Sequence, residues 1–291
     1  MPELPEVEAL ARYLTAEARG RRIERVELAA VAALKTFDPP LDALVGDTVA
    51  GCGRRGKFLC VETTATQGDA LWLVIHLARG GWVRVRQQMA ATRPGRGKGP
   101  LALRVALEGG GGLEVTEAGT EKRLALYVVP SPDDVAGIAR LGPDALDPAL
   151  DAPTLGARLA ASGAQLKKAL TDQTVLAGVG NAYSDEVLHA ARLSPFKSSA
   201  RLSQEEVQRL HAALVAMLKD AVERSVGLAG GELKSEKRSG MRVHARAGEA
   251  CPACRDTVRE VSFASTSLQY CPSCQTGGKP LADRRLSRLL K

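Results

Sequence analysis

The sequence lacks any apolar run approaching the roughly 20 residues that a transmembrane helix requires. Its opening residues, MPELPEVEAL, have neither the basic nor the apolar section of a signal peptide. These absences argue against a membrane-spanning or secreted protein. We therefore expect a cytoplasmic protein with no membrane partner.

The sequence has fewer acidic than basic residues. The chain has 33 Asp and Glu residues against 40 Lys and Arg residues, which gives a formal net charge of +7. A basic protein favours a polyanionic partner, although charge alone does not separate nucleic acid from an anionic membrane surface. With 291 residues, 45% of them hydrophobic, the chain can bury a sizeable core in one large domain or two ordinary ones.

Hydrophobic periodicity changes twice along the chain. Apolar residues at spacings of three and four predict a helix over residues 2–19. Between about 22 and 129, short apolar or alternating stretches separated by glycines are typical of hairpins and predict a β-sandwich or flattened barrel. The pattern then becomes helical, most clearly over 203–226, where Ser203 and Glu206 predict a capping box.

These changes predict an α+β multidomain chain with four segments. The boundary lies in a stretch rich in Pro, Asp and Gly. The segments are a β-sandwich with a leading helix at 1–130, a linker at 131–152, a helical domain at 153–245, and a cysteine-containing segment with a basic tail at 246–291.

Cysteine is scarce, with six residues, yet four of them cluster near the C-terminus. They form two CxxC pairs separated by sixteen residues: Cys251, Cys254, Cys271 and Cys274. In a reducing compartment this spacing indicates one structural Zn²⁺ rather than disulfides. The intervening stretch has strand character and predicts a β-hairpin. A zinc ribbon occurs in many unrelated proteins, so it does not by itself indicate a function.

The N-terminus permits two interpretations. Pro2 followed by Glu3 is ordinary chemistry for the start of a helix. If Met1 is removed, however, Pro2 has a secondary amine that can attack a sugar C1′ and form an imine without a separate base.

Two further motifs each permit two interpretations. Gly178 and Gly180 lack the third glycine of a dinucleotide-binding loop. Their turn, followed by Asn181, can hold a phosphate at a helix start or can be a plain packing corner. Lys57, in the sequence RRGKFL, is either a functional cation or a solvated charge at a strand edge.

In combination and in this order, the motifs resemble the formamidopyrimidine-DNA glycosylase and endonuclease VIII family. The resemblance covers nearly the whole chain through PELPEVE, RRGKFL, VIHLARGG, LTDQTVLAGVGNAYSDEVLHAARLSP and the CPAC to CPSCQ finger. It implies an N-terminal β-sandwich with a leading helix, then a helix-two-turn-helix DNA-binding domain, then a C-terminal zinc-finger β-hairpin. The implied partner is double-stranded DNA with a damaged base or an abasic site, and a monomer suffices.

The same resemblance implies residue roles in base excision. Pro2 would be the nucleophile at C1′, Glu3 the acid that helps to open the sugar, and Lys57 a phosphate contact that assists elimination. β-Elimination would cut the strand, and a second elimination would leave a one-nucleotide gap. The implied phosphate site beside the lesion is formed by Gly178, Gly180 and Asn181.

The chain departs from the family pattern where side chains fill the space left by an extruded base. Arg79 stands where methionine is common, and Lys122-Arg123-Leu124 replaces the usual arginine and phenylalanine wedge. Arg79 and Lys122 are therefore the predicted DNA contacts there.

A second departure lies in the finger, where residues 264–270 contain no arginine. Arg259, earlier in the hairpin, is a candidate replacement. This absence leaves open a non-catalytic or weakly catalytic protein that binds damaged DNA on the same fold.

Residues 226–243 look short for a lesion-capping loop, which favours oxidised pyrimidines and ring-opened or hydantoin lesions. The tail after Cys274 is either frayed or a basic arm on DNA.

Overall fold

In the computed structural model, residues 1–65, 68–92, 95, 99–228, 231–263 and 267–282 are described. The chain forms two compact units. The first consists of Met1–Arg140 with Val222–Glu236, and the second of Leu141–Ala221 with Lys237–Lys291.

The first unit opens with helix α1 (Leu4–Ala18), close to the predicted bounds. Glu3 is its N-cap, and Pro5 lies in the first turn, where a missing N–H costs nothing. Leu4, Leu10 and Leu14 are fully buried because they share one face of the helix.

Eight strands follow α1 in the described part of this unit. They are β1 (Ile23–Leu28), β2 (Thr48–Arg55), β3 (Phe58–Thr64), β4 (Trp72–His76), β5 (Gly81–Arg86), β6 (Leu101–Leu107), β7 (Gly112–Glu117) and β8 (Ala125–Val129). They form two antiparallel four-stranded sheets, ordered β1-β6-β7-β5 and β2-β3-β4-β8. Leu59 and Leu126 of one sheet and Leu103 of the other share a hydrophobic core with α1, which confirms the predicted β-sandwich with a leading helix.

Four more helices follow, the first of them within the predicted linker and the other three at the start of the predicted helical domain. They are α2 (Ala136–Ala139), α3 (Ala152–Ser162), α4 (Leu166–Thr171) and α5 (Asn181–Ala190). The α4-turn-α5 unit is the predicted helix-two-turn-helix. A long helix, α6 (Gln204–Ser225), follows. Its predicted capping box is present, since the Ser203 N–H donates to Glu206 Oε2 at 2.9 Å and the Glu206 N–H donates to Ser203 Oγ at 3.2 Å.

Helix α7 (Leu233–Gly240) begins in the sandwich unit, although its residues fall within the predicted helical domain. Leu233 is fully buried in the core of the sandwich, and the Lys234 ammonium lies 5.0 Å from the centre of the Trp82 ring. Leu228 packs against the same core, so these two leucines account for the grouping of residues 222–236 with the first unit. Residues 229–230, in the proposed short loop, lie outside the described residues.

The finger contains antiparallel strands β9 (Arg259–Ser262) and β10 (Ser267–Tyr270), and then helix α8 (Pro272–Gln275). This confirms the predicted hairpin. The stretch at 264–266 and the basic tail at 283–291 lie outside the described residues. Among the described helices, none combines the length and apolar character needed to cross a membrane.

Candidate functional site

Pro2 and Glu3 lie at the buried start of α1. Pro2 is buried, and Glu3 is only 2% exposed. The Glu3 N–H donates to Glu6 Oε2 at 2.7 Å, within a reciprocal capping box. The Glu3 carboxyl in turn accepts the Glu6 N–H, so the capping box fixes both side chains at the start of the helix, directly after Pro2 in the chain.

Helix α1 packs along β2 so that its start points toward the β2–β3 turn. Thr15 Oγ1 accepts a hydrogen bond from the Cys52 N–H at 2.9 Å, and Glu8 accepts one from Arg54 Nε at 2.9 Å. The residue nearer the N-terminus of the helix, Glu8, contacts the residue nearer the end of the strand, so the helix and the strand run antiparallel. The first turn of α1 and the turn containing Lys57 therefore lie at the same end of the sheet.

Lys57 occupies this two-residue turn, after Gly56 in a left-handed conformation with φ of 53°. It is 8% exposed, so it is not the solvated charge at a strand edge that the sequence left open. Burial, and then the nearby charge of Lys57, lower the pKa of His76. The His76 ring packs on Phe58 with centroids 4.7 Å apart. His76 was not singled out in the sequence, because only strand register places it beside this turn.

The segments containing Arg79 and Lys122 lie side by side. The Ala118 N–H donates to the Gly80 carbonyl at 3.0 Å, between the β4–β5 turn and the β7–β8 loop. Arg79 is exposed, and Lys122 Nζ donates to the Glu117 carbonyl. Leu124 is 3% exposed within the sandwich core, so the predicted wedge cannot include it.

The Gly178–Asn181 turn is fixed by Gln173. The Gly178 N–H donates to Gln173 Oε1 at 3.0 Å, and Gln173 Nε2 donates to the Val179 carbonyl at 2.8 Å. Gly178 has φ of 99°, which favours glycine. Gly180 is the N-cap of α5. Asn181 Nδ2 donates to the Ser267 carbonyl at 2.9 Å, and this amide has a second proton for another acceptor.

A buried ion cluster supports the first turn of α5. Asp185 is 1% exposed and accepts from Lys167 Nζ at 2.5 Å and from His244 Nδ1 at 2.8 Å. The same ammonium donates to the Asn181 carbonyl and to Ser184 Oγ, both at 3.0 Å. Lys167 therefore neutralises Asp185 and fixes the backbone of Asn181.

Glu186 joins α5 to the chain just before the finger. Its carboxylate is fully buried and accepts the N–H groups of Arg242, Val243 and His244 at 2.8 to 2.9 Å. Burial raises the pKa of Glu186, and these three backbone N–H groups oppose that rise. This role has no local sequence signal, since the partners lie more than fifty residues away.

The four predicted metal ligands come together. All four sulfur atoms lie within 4.8 Å of one another, with Cys251 and Cys274 at 3.8 Å and Cys254 and Cys271 at 3.3 Å. Thiolates at about 2.3 Å from a tetrahedral Zn²⁺ are separated by about 3.8 Å. The cluster therefore fits one structural Zn²⁺, which would hold the small finger in its fold.

The other two cysteines are unsuited to metal binding or nucleophilic chemistry. Burial raises the pKa of Cys52 to about 12 and that of Cys60 to about 11, so both remain neutral thiols at physiological pH.

Arg259 is exposed at the start of β9, opposite Tyr270 in the hairpin. It therefore remains a candidate DNA contact on the finger surface.

Taken together, the sandwich, the helix-two-turn-helix and the four-cysteine finger define a DNA-binding protein with a zinc finger.

Comparison with known proteins identifies the family. The model of the formamidopyrimidine-DNA glycosylase N-terminal domain matches residues 1–120, and that of its H2TH domain matches 141–230. The zinc finger found in FPG and IleRS matches 248–277. The chain belongs to the formamidopyrimidine-DNA glycosylase family of DNA repair enzymes, as the sequence motifs predicted.

Individual relatives agree with this assignment. The formamidopyrimidine-DNA glycosylase of Symbiobacterium thermophilum is 34% identical over 98% of this chain and 93% of its own. An uncharacterized formamidopyrimidine-DNA glycosylase-like protein of Mycobacterium tuberculosis is 60% identical over 52% of this chain and 94% of its own. Lactococcus lactis Fpg, solved in complex with DNA containing an abasic site, is 26% identical, with a TM-score of 0.82 over 94% of this chain and 99% of its own.

Proposed function

We propose that this protein is a bifunctional DNA glycosylase and abasic-site lyase of base-excision repair, acting on double-stranded DNA as a monomer in the bacterial cytosol. The observation that carries the proposal is the buried Pro2–Glu3 pair at the start of α1, at the same end of the sheet as Lys57. A proline amine beside a carboxyl group is suited to imine chemistry at a sugar carbon.

The proposed reaction begins after removal of Met1. The Pro2 nitrogen attacks C1′ while the bond from C1′ to the damaged base breaks and the base leaves with a proton. Glu3 donates a proton to the ring oxygen as the sugar opens, which leaves a cationic imine between Pro2 and C1′. The imine makes a C2′ proton acidic. Loss of that proton breaks the C3′–O bond and expels the 3′ phosphate strand, and water then hydrolyses the imine. A second elimination from the same imine, before that hydrolysis, would release the 5′ phosphate strand.

The remaining site residues position DNA in this proposal. Lys57 supplies a cation near Pro2, and the Gly178, Gly180 and Asn181 turn supplies N–H donors to a phosphate. Arg79 and Lys122 would occupy the space left by the extruded nucleotide. Arg259 would contact the backbone from the finger.

The substrate class is an oxidised base or an abasic site. Lactococcus lactis Fpg has been solved with DNA containing an abasic site and with DNA containing an oxidised pyrimidine. For this chain we favour oxidised pyrimidines and ring-opened or hydantoin lesions, because residues 226–243 are few and Leu233 among them is buried in the sandwich.

Sodium borohydride trapping tests the proposal. Duplex oligonucleotides containing an abasic site, an oxidised guanine or an oxidised pyrimidine are incubated with protein whose N-terminus has been verified by mass spectrometry. We expect a covalent adduct with the native chain and a weaker one with Pro2→Gly, because a primary amine also forms imines. An adduct that maps to another residue would refute the role of Pro2.

The alternative is a damage-binding protein with weak or no catalysis, favoured by the absence of arginine from residues 264–270. The same experiment separates the two functions. Tight, salt-sensitive binding to abasic DNA without any trapped adduct would support the alternative.

A further inference from the structure

His189, near the end of α5, reaches the zinc centre from outside the finger. It is 3% exposed, and its Nε2 lies 3.2 Å from the sulfur of Cys251, which is fully buried. The two residues are 62 positions apart in the chain. No cysteine spacing in the finger indicates this contact.

The direction of the hydrogen bond follows from the chemistry of the pair. A thiolate bound to zinc can only accept, so Nε2 must be the protonated nitrogen. Four thiolates around one Zn²⁺ leave a net charge of about −2 in a small volume. An N–H donor to one sulfur reduces the accumulated charge on the ligands and orients the thiolate.

A packing role alone does not account for an imidazole at this position. Its Nδ1 is buried and has no hydrogen-bond partner among the described residues. Burying a polar atom without a partner is unfavourable, so an apolar side chain would fill this space at lower cost. The hydrogen bond between Nε2 and the sulfur offsets the cost of burying Nδ1 without a partner.

Helix α5 connects this contact to the DNA-binding turn. Asn181, at the first position of the helix, is hydrogen bonded to Ser267 of β10, and His189, in its last turn, is bonded to Cys251. The helix is thereby attached to the finger near both ends.

We propose that His189 is a positioning residue of the zinc centre, whose Nε2–H donates to the Cys251 thiolate, slows zinc release and joins the metal to α5. This inference does not depend on glycosylase or lyase activity.

The test compares His189→Phe, which keeps an aromatic ring without the N–H, with His189→Gln, whose Nε2 can take the place of the imidazole nitrogen. His211→Phe is the matched control, because His211 lies on α6 and its Nε2 contacts the Leu150 carbonyl rather than a cysteine. Zinc transfer from each full-length protein to a chromophoric chelator is followed, and the thiolate-to-metal charge-transfer band is recorded after substitution with Co²⁺.

We expect His189→Phe to weaken zinc retention by about 10- to 100-fold, as for other outer partners of metal ligands. Its Co²⁺ charge-transfer band should shift to lower energy, because the sulfur lone pairs lose a donor. His189→Gln and His211→Phe should resemble the native protein. Zinc release and a Co²⁺ band that are unchanged in His189→Phe would overturn the proposal. So would equal losses in the Phe and Gln variants, since these would reflect packing alone.

Discussion

At the scale of single residues, Glu3 combines a structural and a proposed chemical role. It is the N-cap of α1, directly follows Pro2 in the chain, and is buried. We expect Glu3→Gln to reduce base excision by about 100- to 10,000-fold, because an amide cannot deliver the proton. Binding to abasic DNA should persist. Glu24→Gln, an exposed carboxyl of β1, is the control, and release of damaged base from a labelled duplex is the measurement. Undiminished excision by the Glu3 variant would remove it from the mechanism.

His76 provides a prediction about pH. Its pKa in the folded protein is lowered, first by burial and then by Lys57, relative to about 6.5 in an unfolded chain. The unfolded chain therefore binds this proton more tightly, so the stabilisation is complete above about pH 6.5 and is lost as pH falls through the folded value. One such group contributes a slope of at most about 1.4 kcal/mol per pH unit.

We accordingly expect the urea midpoint of the native protein to fall between pH 7.5 and 5.5, and His76→Phe to flatten part of that fall. The phenyl ring can still pack on Phe58. A pH dependence identical in the two proteins would show that protonation of His76 is not linked to unfolding.

Several residue roles could be predicted from the sequence, and others could not. The zinc ligands could be predicted because the two cysteines of each CxxC pair are close together in the sequence. Lys57 was identified from its motif, but its burial was not evident, because burial depends on how α1 packs against the turn. The inclusion of Leu124 in the wedge was wrong, since strand β8 extends the core pattern back to this side chain.

At the scale of secondary structure, the carboxylate of Glu186 connects α5 to residues 242–244 by accepting the backbone N–H groups of those three residues. In Glu186→Gln, one acceptor oxygen becomes an NH₂ group that faces backbone N–H donors. We expect the free energy of unfolding to fall by about 1 to 3 kcal/mol, measured by urea denaturation. Glu205→Gln, an exposed residue of α6, should have almost no effect. An equal effect of both substitutions would contradict the anchoring role.

Periodicity predicted the helices and strands well because burial of one face determines them. It did not predict that residues 222–236 belong with the sandwich. An apolar residue such as Leu233 shows that a segment needs a core, but the local pattern does not specify which one.

At the scale of the whole molecule, the two compact units allow the role of zinc to be measured separately. Both tryptophans of the chain, Trp72 and Trp82, lie in strands of the sandwich. We expect chelation of zinc to reduce ordered structure in the finger, seen by circular dichroism, while the urea transition followed by tryptophan fluorescence shifts little. Cys271→Ala should reproduce the chelated state, and Cys52→Ala should not. Loss of the tryptophan signal on chelation alone would show that the sandwich requires the metal.

The attachment of α5 to the finger also affects how such a chain can evolve. A crossover that exchanged residues 248–277 alone would separate Ser267 from Asn181, Cys251 from His189, and Gln275 from the Leu193 carbonyl. Two of these contacts accept on a backbone carbonyl, which any residue supplies, whereas the third needs a histidine on α5 to match the cysteine of the incoming finger. We therefore expect recombination upstream of α5, which keeps His189 with the finger that it contacts, to be tolerated better than a breakpoint at the first cysteine.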